Sequence, residues 1–81
     1  MNNSVKMFFN EFGKKLAEYR KKNGFSQRQL AKQLKISQQS LAAYELGTRR
    51  LHVFLLFKLS KILSVSADDL LGLKDDPESQ P

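Results

Sequence analysis

In the middle of the chain, over residues 26–47, the spacing of apolar and polar residues predicts two short helices. Apolar residues recur there at the spacing of one helical face, first at Leu30, Ala31 and Leu34 and then at Leu41 and Tyr44. Because only three or four residues separate the two runs, the helices can bury their apolar faces against each other only at a steep angle. The outer face of the second helix is then left projecting.

Capping residues mark the ends of both helices. Ser26, followed by Gln29 three residues later, forms a capping box, so the first helix is expected to begin directly after it. Ser37 precedes the second helix, predicted over Gln38–Leu46, and Gly47 ends it. The arrangement predicted is a helix-turn-helix.

Three further helices are predicted around this pair. Asn10 is the expected cap of helix 1, which is amphipathic and ends at Gly24. Helix 4 falls within residues 51–63, which are apolar almost all round, and Ser66 opens a short fifth helix that Gly72 ends. The predicted fold is all-α, a compact five-helix bundle.

The chain is predicted to divide into three segments. Residues 1–9 are either flexible or a backward extension of helix 1, residues 10–73 form the domain, and residues 74–81 form a disordered acidic tail. Residues 1–61 carry 13 lysines and arginines against three acids, whereas residues 62–81 carry one lysine against five acids. A basic body favours a polyanionic partner, nucleic acid before membrane, although a solvated surface would give the same charge.

Composition excludes several classes of site. With 81 residues, no cysteine and one histidine, the chain is one small domain without a disulfide framework or a thiolate metal site, and no cofactor is expected. His52 lacks a recognisable partner nucleophile and there is no glycine-rich phosphate loop, so an enzyme is not expected. The sequence has no signal sequence and no apolar run near the roughly 20 residues of a spanning helix, so the expected location is the cytoplasm.

Three stretches together resemble the Cro/C1-type (XRE) helix-turn-helix family of prokaryotic regulators: FGKKLAEYRKKNGFSQRQLAKQL, ISQQSLAAYELGTRR and KLSKILSVSADDLLG. The resemblance covers roughly Phe12 to Gly72 and implies a lambda-repressor-like fold. It implies that Gln27 touches a DNA phosphate. It also implies that Glu45 pairs with Arg20 of helix 1 and orients it toward the DNA backbone; the alternative is that Arg20 is a free surface charge.

The sequence departs from the family pattern at three positions. Lys35 stands at the turn position that often holds glycine, Leu51 replaces the proline common after the basic loop, and Ser64 replaces the glycine that closes helix 4. If the turn needs a positive φ, Lys35 is expected to be strained by about 1 kcal/mol.

The beginning of the second helix of the pair is the predicted DNA-contacting surface. Residues near the N-terminus of such a helix reach base edges in the major groove of double-stranded DNA, and a glutamine amide matches adenine N6 and N7. The expected base contacts are Gln38, Gln39, Ser40 and Ala43. Lambdoid phage repressors of the family share the Gln-Gln-Ser start, but the glutamines could also be ordinary first-turn polar residues. The expected phosphate contacts are Gln27, Arg49 and Arg50, with Arg28 and Lys35 as secondary candidates.

A module this small contacts too few base pairs to find one site in a genome, so a homodimer on a palindrome is predicted. The candidates for its surface are Phe54, Leu55, Leu71 and Leu73. The alternative is that surplus apolar residues of helix 4 close the core over Phe8 and Phe9. The function predicted is a sequence-specific transcriptional regulator, acting as a repressor. The alternative is an antitoxin or adaptor that binds a protein partner through helix 4 and autoregulates through the same motif.

Overall fold

The computed structural model describes residues 3–73, which form five α-helices and no strand. In chain order the helices are α1 (Asn3–Lys22), α2 (Gln27–Leu34), α3 (Gln38–Leu46), α4 (Val53–Leu63) and α5 (Ala67–Leu71). The all-α, five-helix prediction is confirmed for this part of the chain. The acidic tail predicted over residues 74–81, and residues 1 and 2, lie outside the described residues.

The first helix is longer than the capping signals suggested. It begins at Asn3, so the assignment of Asn10 as its N-cap is wrong. No glycine or proline interrupts residues 3–9, and the helix therefore continues back through them. Asn10 instead lies in mid-helix, half-buried against Gly47 at the end of α3.

The hydrophobic core takes side chains from every helix. Its buried members are Phe12, Leu16, Leu30, Ala31, Leu34, Leu41, Tyr44, Leu55, Leu59, Leu63 and Leu70. The short helices α2 and α3, eight and nine residues long, would be marginal in isolation. Their stability therefore depends on this shared core.

Helix α4 buries one of the residues that were expected on its surface. Leu55, Leu59 and Leu63 recur every four residues and are all buried. Leu55 is only 1% exposed, so its prediction as a dimer-surface residue is wrong. Because α4 is apolar almost all round, its sequence alone did not fix which side faces the core.

A glycine sets the distance between α1 and α3. A β-carbon added at Gly13 would lie 2.2 Å from the carbonyl oxygen of Glu45. The α1 backbone therefore passes directly against the C-terminal part of α3, where no side chain fits between them. This close crossing places α1 behind the helix-turn-helix as its support.

Candidate nucleic-acid interface

The turn between α2 and α3 is defined by capping contacts at both ends. Ser26 and Gln29 form the predicted capping box, with each side-chain oxygen accepting from the other's backbone N–H at 3.1 and 2.8 Å. Lys35 ends α2 in the left-handed region, with φ at 60°. Ser37 then caps α3, its hydroxyl oxygen accepting from the Ser40 N–H at 3.0 Å. These contacts fix the direction in which α3 leaves the turn.

The first turn of α3 presents two free amides. Gln38 and Gln39 are exposed. An α-helix fits the major groove, and amides near its N-terminus have the donor and acceptor needed for an adenine edge. Ala42 and Ala43, both half-buried, leave the next turn free of bulk.

Ser40 differs from the two glutamines because its hydroxyl already has partners. Its oxygen accepts from the Ser37 hydroxyl at 2.9 Å and from Arg49 Nη1 at 3.2 Å. The Arg49 guanidinium also lies 5.6 Å from the centre of the Tyr44 ring, a cation–π distance. Arg49 therefore folds back along α3. Arg50, the next residue, is exposed and makes neither contact.

A buried ion pair joins α1 to α3. Arg20 Nε donates to Glu45 at 2.6 Å and Nη2 donates to the other carboxylate oxygen at 3.2 Å, and the two side chains are 10% and 7% exposed. Arg20 Nη1 also donates to the Phe25 carbonyl at 2.9 Å, so most of the buried charge is satisfied. Arg20 is thus not a free surface charge.

Gln27 joins the same network, a contact that the sequence did not indicate. Its amide nitrogen donates to Glu45 Oε1 at 2.9 Å. An amide nitrogen carries two hydrogens, so one remains for a phosphate oxygen while the other holds the side chain in place. Arg28 and Lys35, the secondary phosphate candidates, are both exposed on the surface.

Helix α4 carries an exposed apolar surface, here called the α4 aromatic face: Val53, Phe54 and Phe57, which are 83%, 64% and 56% exposed. The two rings stack, with centroids 6.4 Å apart. Lys58 and Lys61 lie over them at 5.2 and 5.6 Å, which forms a basic rim. Phe54 does not close over Phe8 and Phe9, and Phe57 was missed because either ring could have faced the core.

Two other dimer candidates lie away from this face. Leu71 is half-buried and lines a groove of about 540 Å³ with Met7 and Phe8 of α1. Leu73 is 41% exposed at the end of the described residues. The apolar surface predicted as one patch is thus split, with only Phe54 on the α4 aromatic face.

His52 has a structural position at the start of α4. It is the N-cap, and its Nδ1 accepts from the Leu55 backbone N–H at 3.2 Å. Between residues 3 and 73 no three histidine, cysteine or carboxylate side chains cluster in a way that could hold a metal. None of the described helices is long and apolar enough to cross a membrane.

Comparisons with known proteins agree with this geometry. The family model described as helix-turn-helix matches residues 16–70. The HTH-type transcriptional regulator ImmR of Bacillus subtilis (strain 168) is 42% identical over 64 residues, which are 79% of this chain and 50% of that protein. From the same strain, the SPbeta prophage-derived uncharacterized HTH-type transcriptional regulator YonR is 42% identical over 60 residues, 74% of this chain and 56% of that protein.

A solved structure is also similar to this chain. It is the restriction-modification controller protein C.AhdI from Aeromonas hydrophila, with a TM-score of 0.72 and 27% sequence identity. The match covers 76% of this chain and 94% of the controller. By contrast, the chain spans about half the length of the two curated relatives.

Proposed function

The chain belongs to the Cro/C1-type (XRE) helix-turn-helix family, and on that premise we propose that it is a sequence-specific DNA-binding regulator of transcription. The observation that carries the proposal is the exposed pair Gln38 and Gln39 on the first turn of α3, a helix whose direction is fixed by caps and by the buried Arg20–Glu45 pair. α3 would lie in the major groove of DNA, with the glutamines against base edges. The protein would act in the cytoplasm.

Phosphate contacts would hold α3 in register. Gln27, with the first amides of α2, would contact the backbone on one side, and the loop that follows α3 would contact it on the other. Arg50 is the free cation of that loop, whereas Arg49 is held along α3 by Ser40. The backbone contacts on the two sides of α3 would add affinity without distinguishing DNA sequences.

The active form would be a homodimer on a palindromic operator, with half-sites one helical turn apart, about 34 Å. The α4 aromatic face supports this because three large apolar side chains on one helix are left in water. A dimer that occupies such a site would act as a repressor by excluding other proteins from it. No catalytic role is proposed.

The α4 aromatic face also supports a second candidate function. Its basic rim, Lys58 and Lys61, would suit an acidic, partly apolar protein partner. In that case the chain would be an antitoxin or adaptor that uses DNA binding for autoregulation. A chain that is monomeric alone and binds its operator only together with a second protein would favour this function.

Selection of bound sequences from a random double-stranded pool tests the main proposal. We expect A·T-containing palindromes, and Gln39→Ala should weaken binding to them by about 1–3 kcal/mol with little effect on unrelated DNA. Gln33→Ala is the matched control, since Gln33 is an exposed glutamine on α2, outside the proposed surface. Absence of any binding by the unaltered protein at low salt would overturn the proposal.

A further inference from the structure

The N-terminal half of α1 lies beside the loop that follows α3. The two backbones meet at Gly47, where an added β-carbon would lie 2.9 Å from both the nitrogen and the α-carbon of Asn10. Beyond this contact they enclose an open cleft of about 580 Å³. Its lining includes Asn3, Lys6 and Asn10 of α1, with Gly47 and Arg50 on the side of the loop.

The cleft is positively charged. Lys6 belongs to its α1 wall and Arg50 to its loop wall, and both are exposed. No carboxylate is among its lining residues, and between residues 3 and 73 neither cation is in an ion pair. The groove on the other side of α1 contains Glu11 beside Lys15 and therefore lacks this uniform charge.

The polar groups of the cleft suit an anion as well. Asn10, whose amide can donate, is another of its lining residues. Asn3 lies in the first turn of a 20-residue helix that has no acidic residue in that turn, so the partial positive charge of the helix end is not offset. A lysine on one wall and an arginine on the other, with an amide in the same lining, suit the oxygens of a phosphate.

We propose that this cleft binds a backbone phosphate of the operator, held between Lys6 and Arg50. This inference rests on the proposed DNA-binding function and adds to it a contact from a helix outside the helix-turn-helix. The loop is already the expected phosphate contact on that side of α3, and α1 lies directly beside it. Lys6 contributes affinity and not sequence preference, because phosphates carry no base identity.

The test is the salt dependence of binding by Lys6→Gln. Each phosphate contact to B-DNA contributes about −0.9 to the slope of log K against log salt. The slope for Lys6→Gln should therefore be less steep than that of the parent by about 0.9 for each bound protomer. The loss should be equal on operator and unrelated DNA, and Lys6→Arg should keep the parent slope. Lys14→Gln is the matched control, since Lys14 is exposed on the same helix but is paired with Glu11 at 3.3 Å.

The outcomes separate this inference from the function on which it rests. If Lys6→Gln keeps the salt slope of the parent while Arg50→Gln reduces it, the phosphate contact proposed for the cleft is overturned. The DNA-binding proposal is then left intact. An equal reduction in Lys6→Gln and Lys14→Gln would also overturn it, since the effect would then come from net charge. If the unaltered chain binds no DNA at low salt, both proposals fail. Lys6 is exposed, so circular dichroism and thermal unfolding of its variants should match the parent.

Discussion

Two residues end their helices with a backbone conformation that favours glycine. Lys35 has φ at 60° and Ser64 has φ at 53°, and they are the non-glycine residues with positive φ between residues 3 and 73. The left-handed region costs such residues about 1–2 kcal/mol. Both positions depart from the glycine of the family pattern, and Lys35 has the positive φ on which its expected strain depends.

Replacing these residues should separate stability from DNA affinity. Ser64→Gly and Lys35→Gly should each raise the free energy of unfolding by roughly 0.5–1 kcal/mol, after allowance for the greater entropy of the unfolded chain. Urea unfolding measures this gain. Lys35→Gly should in addition weaken DNA binding, because it removes a candidate phosphate contact, whereas Ser64→Gly should not. Equal affinity in both variants would contradict the role of Lys35.

Other residue-level contacts could not be inferred from local patterns. Ser26, Ser37 and Ser66 cap their helices as predicted because a cap depends on residues three positions away. The contact between Gln27 and Glu45 spans 18 positions and depends on how α2 meets α3. The DNA phosphate contact assigned to Gln27 stays a prediction, as do the base contacts assigned to α3.

At the scale of elements, the backbones of α1 and α3 cross in direct contact. Gly13 allows it, and the same crossing brings Arg20 to Glu45. Amphipathic periodicity located both helices but could not give their separation, because a glycine contributes little to a hydrophobic pattern. Leu55 was expected on the dimer surface for a different reason: a helix that is apolar almost all round has no unique buried face.

Gly13→Ala should force α1 and α3 apart. Its methyl group would meet the backbone of Glu45 at 2.2 Å, and overpacking of this kind costs about 3 kcal/mol. Thermal or urea unfolding would report the loss. Gly24→Ala is the control, because nothing lies within 4 Å of its added carbon and only its positive φ is penalised. A Gly13→Ala loss no larger than that of the control would show that the crossing can relax.

At the scale of the whole molecule, and apart from Leu46 at the end of α3, residues 3–73 expose large apolar side chains in two separate places. The α4 aromatic face is one, and the groove between α1 and α5 that contains Phe8 is the other. From the sequence, surplus apolar residues of both places were predicted to form one dimer surface. Their separation depends on where α5 packs against α1, which the sequence pattern does not give.

The two surfaces can be told apart by sedimentation. Phe54→Glu should dissociate the dimer, since it places a charge in the centre of the proposed interface. Phe8→Glu is the matched control, a 40% exposed phenylalanine in the other place, and should leave the mass unchanged. A dimeric parent that stays dimeric with Phe54→Glu would rule out the α4 aromatic face.

The exposure of Gln38 and Gln39 has a consequence for how such a protein can change over generations. Neither side chain belongs to the core, and surface substitutions of this kind usually alter stability by less than about 0.5 kcal/mol. The caps, the buried ion pair and the glycine crossing hold α3 in place whatever those two residues are. Natural selection can therefore exchange one target sequence for another by point mutation while the scaffold is inherited intact.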